Sequence, residues 1–238
     1  MRFIARLDIK DNCVIKGINF EGLRKVGEPS SLLKKYYEDG ADEIIIIDAV
    51  ASLYERNNIF NIIEVASKDI FIPITLGGGI RSLKDIEKAL NVGADKVAIN
   101  TYATENPKFI KEAVLTFGAS TIMINIEAKK ASENNWEVYK NYGREKTGLE
   151  LLDWIRQVQD LGCGEILVTS IDFEGLQNGF DINLIKKIKK HVKVPLIISG
   201  GCGSKDHIDT IKKTFKNISI SAASALHYNK FKIQELKK

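Results

Sequence analysis

Eight times along the 238 residues, a short run of β-branched and apolar residues is followed by an amphipathic segment of helix length. That alternation is the pattern of βα units around a parallel sheet. Strands are expected near residues 3–8, 43–48, 72–76, 95–99, 121–126, 165–169, 194–198 and 218–222. Runs such as Glu43-Ile44-Ile45-Ile46-Ile47-Asp48 are apolar through their centre, as strands buried on both faces must be. An open sheet shares this local signature, and internal repetition separates the two. Glu43 is matched by Glu165, and Pro73 by Pro195, at an offset of 122 positions. Gly77-Gly78 is matched by Gly200-Gly201, and Asn100-Thr101 by Ala223-Ser224, at an offset of 123. The expectation is an α/β fold, a (β/α)8 TIM barrel built from two half-barrels, with residues 1–238 forming a single domain.

The first strand and the fifth both end in a carboxylate, Asp8 and Glu127. Strands half a barrel apart bring such residues to one rim, and a βα barrel keeps its chemistry at the carboxyl ends of its strands. Two acids there suit acid/base catalysis. The connections Ile9 to Pro29 and Ala128 to Lys146 follow these same strands and are expected as long functional loops. Gly77-Gly78-Gly79 leads into a helix starting near Ser82, and Asn100-Thr101 follows the next strand. Glycines and a helix N-terminus favour a close-held anion. Ser199-Gly200-Gly201-Cys202-Gly203 and Ala223-Ser224 repeat the arrangement, so a small molecule with phosphate at both ends is the simplest occupant. Asp48 and Asp172 are expected at the mouth, binding ribose hydroxyls or anchoring loops.

Composition excludes several classes. The net charge of +4 is modest, and lysines cluster as in Lys186-Lys187-Ile188-Lys189-Lys190, which reads as a solvated helix face, so no nucleic-acid partner is expected. Cys13, Cys163 and Cys202 have no metal-site or disulfide spacing, and neither metal nor other cofactor is expected. Met1-Arg2-Phe3-Ile4 runs straight into a strand, and no apolar run reaches the roughly 18 residues of a membrane span. A cytoplasmic protein without membrane attachment is expected. His191, His207 and His227 are expected at surface or packing positions away from the two acids, and Trp136 as a lid or a loop-packing residue.

Leu7-Asp8-Ile9-Lys10-Asp11, Val14-Ile15-Lys16-Gly17, Gly77-Gly78-Gly79-Ile80, the run from Ala94 to Thr101, the run from Gly164 to Asp172, and Ser199-Gly200-Gly201 together resemble the cyclase subunit of imidazole glycerol phosphate synthase, the HisF family. The resemblance runs from the first strand to the last helix. It implies a (β/α)8 barrel partnered by a glutaminase subunit on its amino-terminal face. Ammonia then passes through the barrel to a bisphosphorylated ribulosyl-aminoimidazole-carboxamide intermediate, whose ring closure belongs to histidine biosynthesis. Carried over by position, Asp8 and Glu127 are the catalytic acids and Lys16 is a mobile-loop lysine that reaches the substrate. Gly79, Asn100 and Thr101 hold one phosphate; Gly175, Gly201, Ala223 and Ser224 hold the other. Arg2, Glu43, Lys96 and Glu165 form a charged ammonia gate, and Asp95 contacts the glutaminase.

Two interior residues depart from the family pattern. Arg6 stands where the family has a small cysteine, and alternation along the strand turns it inward with Asp8. Glu127 replaces an aspartate. The expectation is that Arg6 pairs with Glu127, depressing that acid's pKa. A paralogue delivering ammonia for amidation of a sugar in surface-glycan synthesis, and a catalytically silent scaffold that activates the glutaminase, are the alternative readings. The sugar-phosphate isomerase of the same pathway ranks last, since it should lack the gate.

Overall fold

The computed structural model describes residues 1–51 and 59–237. Among them, β1 (Phe3–Lys10) is followed by β2 (Cys13–Ile18), β3 (Glu21–Gly27), α1 (Pro29–Glu38), β4 (Glu43–Asp48), α2 (Phe60–Ala66) and β5 (Ile74–Gly77). Then come α3 (Leu83–Asn91), β6 (Lys96–Ile99), α4 (Thr101–Glu105), α5 (Lys108–Phe117), β7 (Ile122–Ser132), β8 (Asn135–Lys140) and β9 (Glu145–Glu150). The chain continues through α6 (Leu151–Asp160), β10 (Glu165–Ser170), α7 (Ile182–Lys189), β11 (Leu196–Ser199), α8 (Lys205–Thr214), β12 (Ser219–Ala222) and α9 (Ser224–His227).

Eight of these strands pair in parallel in the ring β1-β4-β5-β6-β7-β10-β11-β12, and β1 closes it against β12 through Phe3 opposite Ile220 and Ala5 opposite Ala222. The eight expected strands are these eight. Closure leaves no edge, and it sorts each strand's side chains into an outer set under the helices and an inner set around the axis. Ile4, Ile45, Ile47, Ala98, Met123, Leu167 and Ile197 form the apolar inner cluster.

The half-barrel repeat extends to the backbone. The carbonyls of Pro73 and Pro195 accept the amides of Ile44 and Ile166 at 3.0 Å, in equivalent places. Gly78 and Gly200 have φ of 93° and 97°, and a Cβ on either would fall within 3 Å of the carbonyl oxygen of Asp48 or Ser170. Only glycine satisfies both conditions.

The two long connections are not loops. β2 runs antiparallel to β1 with Asp8 opposite Ile15, and β8 runs antiparallel to β7 with Glu127 opposite Tyr139, each arm completed by a second strand. Both arms turn on residue pairs with positive φ, Asn19-Phe20 (52°, 65°) and Asn141-Tyr142 (54°, 58°). Such turns match the twist of paired strands and favour Asn at their first position. Asn141-Tyr142 lies 122 positions after Asn19-Phe20, so the arms belong to the repeat.

Ser82 caps α3: its hydroxyl accepts from the Asp85 amide at 3.2 Å while Asp85 accepts from the Ser82 amide at 2.9 Å. Ser82→Ala should lower the unfolding free energy by about 1 kcal/mol in a denaturant titration. A change below a few tenths would show that tertiary packing alone holds the helix end.

Candidate functional site

At the amino ends of the strands, Arg2, Glu43, Lys96 and Glu165 close into a ring. Arg2 Nη1 donates to Glu43 at 2.8 Å and Nη2 pairs with Glu165, while Lys96 Nζ reaches Glu43 at 2.8 Å and Glu165 at 2.7 Å. Thr75 adds a hydroxyl to Glu43 at 2.8 Å. Each carboxylate thus faces two cations. Asp95 lies on the exposed rim beside them, one carboxylate oxygen accepting the Ile74 amide at 2.8 Å.

Above the apolar inner cluster, Arg6 crosses the bore, and its partner corrects the sequence-based expectation. The guanidinium pairs with Asp8, not Glu127: Nε donates to Asp8 Oδ1 at 2.9 Å and Nη2 lies 2.9 Å from the same oxygen. Nη1 reaches across to Thr169 on β10 at 2.9 Å, and the Phe20 ring lies 5.6 Å away. Burial alone would raise the Asp8 carboxyl, but Arg6 and then Lys16 outweigh it and hold it below the usual carboxylate range.

Glu127 is opposite in character. Its Oε2 accepts the Gly143 amide at 2.7 Å, and burial pushes its pKa up to about 7 against the pull of Arg6 and that amide. The expected depression is therefore reversed. The physical reason is reach: Asp8 is two residues from Arg6 on one strand face, so the shorter acid takes the guanidinium and the longer one turns to the β8–β9 arm.

Lys16 is not on a loop. It sits on β2, buried, in an ion pair with Glu174 and 3.6 Å from Asp8 Oδ2. Burial lowers its pKa to about 8 against the attraction of Asp8. The arms then roof the acids. Phe20 and Tyr142 meet with ring centroids 4.3 Å apart, and the Asn19 amide donates to the Glu174 carbonyl at 2.8 Å. Beneath them Asp8 and Arg6 are 0% exposed and Glu127 2%, so the acids lie under a closed cover, not on the open mouth that the strand ends suggested. The Tyr142 phenol is pushed well above its usual range by burial and by Asp8.

Two cavities flank this centre. One, of about 230 Å³, is lined by Asp48, Gly79, Asn100, Thr101, Asn125 and Glu127 among others. Asn100 Oδ1 and Asn125 Oδ1 are buried without hydrogen-bond partners, which a polar ligand would supply. The other, of about 530 Å³, is lined by Lys16, Arg24, Gly175 and Ser224 but not by Ser199, Gly201 or Ala223. The second expected cradle is thus divided. Gly201 packs on Gly179, whose carbonyl would lie 1.9 Å from an added Cβ; Ser199 faces Ser170 and Asp181 in the packed layer, and Ala223 is buried.

Asp172 serves its arm, accepting the Lys130 amide at 2.7 Å, and Asp48 accepts the amides of Val50 and Ala51 at 3.0 and 2.9 Å. Trp136 is a packing residue, buried with its indole N–H on Asp181 at 3.4 Å. Glu174, Phe20 and Tyr142 escaped the sequence reading. The repeated Asn-aromatic pairs could have revealed the last two; no local pattern marks Glu174.

His227 is a packing residue, as expected, but it is not remote from the acids, since it is electrostatically coupled to Asp8. It is buried below the second cavity's Ser224, its Nδ1 2.6 Å from the Tyr36 hydroxyl, and burial with help from Lys16 lowers its pKa to about 4. A histidine held neutral in the fold gives its full stability above its unfolded pKa of 6.5 and loses it as pH falls toward 4. Wild type should therefore lose stability relative to His227→Gln across that window, by at most about 3 kcal/mol in paired chemical denaturations. A gap independent of pH would refute the neutral assignment.

The family model described as histidine biosynthesis protein matches residues 2–232. The chain is 51% identical over 203 residues to the imidazole glycerol phosphate synthase subunit HisF of Legionella pneumophila, spanning 85% of this chain and 96% of that protein. It is 44% identical over 238 residues to the subunit of the same name from Bacillus cereus strain Q1, spanning 100% of this chain and 94% of that protein. Strain G9842 has a counterpart 43% identical over the same span.

Proposed function

The chain belongs to the histidine-biosynthesis protein family, and on that premise we propose that it is the cyclase subunit of imidazole glycerol phosphate synthase, working with a HisH-type glutaminase. Ammonia enters through the ring of Arg2, Glu43, Lys96 and Glu165 and meets a bisphosphorylated ribulosyl-aminoimidazole-carboxamide substrate beside Asp8 and Glu127. The observation that carries this reading is the axial order: four charges at the bottom, an apolar bore, and two carboxyl groups at the top. A neutral nucleophile crosses an apolar bore at far lower cost than an ion does. Gly79, Asn100 and Thr101 bind one phosphate; Lys16, Gly175 and Ser224 bind the other, once the arms part. Ser199, Gly201 and Ala223 support that second site from the layer below, and Asp95 belongs to the partner's docking rim.

As the nitrogen–carbon bond forms, Asp8 takes a proton from the attacking nitrogen and Glu127 gives one to the carbonyl oxygen. The electrostatics support this order, because Asp8 is held ionised while Glu127, raised to about 7 by burial, still carries its proton in about half of the molecules at neutral pH. The test supplies the purified protein with the bisphosphorylated intermediate and an ammonium salt and follows imidazole glycerol phosphate formation. Turnover supports the reading; its absence with glutaminase stimulation retained would overturn it. Arg6 favours a second reading, in which the same ammonia is handed on for amidation of a sugar in surface-glycan synthesis, because its guanidinium narrows the bore and occupies one oxygen of Asp8.

A further inference from the structure

The two acids are treated unequally by their surroundings, and Arg6 is the source of the difference. Its guanidinium lies on Asp8 Oδ1 through two nitrogens and is anchored by the third to Thr169. Thr169 stands opposite Glu127 in the β7–β10 register, so the cation passes the longer acid without bonding it. Asp8 Oδ2 accepts no hydrogen bond of good geometry; the Lys16 ammonium lies 3.6 Å from it, and the Tyr142 phenol also faces the Asp8 carboxylate. Glu127 has an amide on one oxygen and borders the first cavity.

We infer that Arg6 is a positioning residue that divides labour between the acids, fixing Asp8 as a carboxylate with Oδ2 alone available as the base, and leaving Glu127 to carry the exchangeable proton. The charged and titratable groups facing this pair are Arg6 on β1, Lys16 on β2, Tyr142 on the β8–β9 turn, Glu174 beyond β10 and His227 on α9. Of these, Arg6 makes the well-formed hydrogen bond to Asp8, at 2.9 Å, while Lys16 and Tyr142 approach the same carboxylate. The direction of both shifts agrees with the geometry: Asp8 down because two cations face it, Glu127 up because burial outweighs the one it sees at a distance.

The catalytic consequence rests on the cyclase reading, but the division itself does not, so the primary test uses the unliganded full chain. Carbon-detected NMR of side-chain carboxyls should show one buried group titrating with a midpoint of about 7, absent from Glu127→Gln. In Arg6→Met the Asp8 midpoint should rise clearly out of its depressed range, because its main cation is lost while Lys16 remains. If that variant does not fold, Thr169→Val frees the guanidinium's far end while keeping the charge, and should move both midpoints in the same direction by less. Where turnover is measurable, Thr169→Val should raise the acidic limb of the kcat profile with KM unchanged. A titrating carboxyl that survives Glu127→Gln, or an Asp8 midpoint unmoved by both other variants, would overturn the assignment. Failure of ring closure with these titrations intact would instead remove the cyclase reading and leave the role of Arg6 standing.

Discussion

Asp8→Asn is expected to lower ammonium-driven ring closure by about 10²–10⁴-fold, the usual contribution of a positioned general base. Asparagine keeps the shape of the side chain and its Oδ1 can still accept from Arg6, so the reacting groups stay in place. What disappears is the basic Oδ2 and the negative charge. Two buried cations, Arg6 and Lys16, then face no Asp8 charge, and stability should fall by roughly 3–5 kcal/mol. The two losses separate in Asp8→Asn combined with Arg6→Met, which removes both members of the buried pair. That double variant should regain most of the stability and none of the activity, because deleting both partners of a buried pair leaves no uncompensated charge. Circular dichroism melts and the ammonium assay on the same samples decide it. Turnover of Asp8→Asn within tenfold of wild type would remove Asp8 from the chemistry.

Glu43→Ala should destabilise the barrel by about 3–5 kcal/mol, because it strips a buried carboxylate from Arg2, Lys96 and Thr75 at once. For a chain of this size that corresponds to a fall in Tm of roughly 6–20 °C. Arg2→Ala should cost clearly less. The Arg2 side chain is 36% exposed where that of Glu43 is 2%, so water can replace part of what the arginine loses or leaves behind. Thermal melts of both variants give the order, and equal losses would show that the ring is held by something other than the buried carboxylate. If the ring also admits the nitrogen, Arg2→Ala should alter glutamine-driven turnover more than ammonium-driven turnover, with the folded fraction unchanged.

The eight strands, their closure and the offset of 122 to 123 positions were legible in the chain because they depend on periodicities that each segment carries for itself. Asp8 and Glu127 were legible for the same reason: a residue's face and height in a strand follow from counting. The ring of Arg2, Glu43, Lys96 and Glu165 followed from strand starts in one layer together with the family resemblance. The arms were harder. Their strands are short, half-exposed and interrupted by turns of positive φ, so they lack the hydrophobic alternation that marks the barrel strands.

Tertiary structure alone decided which charges pair. Arg6 has two acids within its layer, and the choice of Asp8 over Glu127 turns on rotamer reach, on Thr169 across the bore and on the Gly143 amide that claims Glu127. It likewise decided that Lys16 meets Glu174, that His227 is buried on Tyr36, and that Gly201 supports a backbone crossing while Gly175 and Ser224 line the cavity. Residue type and spacing determine the face and layer of a side chain, whereas its partner is set by distances of an ångström or two between strands far apart in sequence. Electrostatic interactions in a dry interior are sensitive on that scale, and so the unequal surroundings of the two acids emerged only when the barrel was closed and roofed.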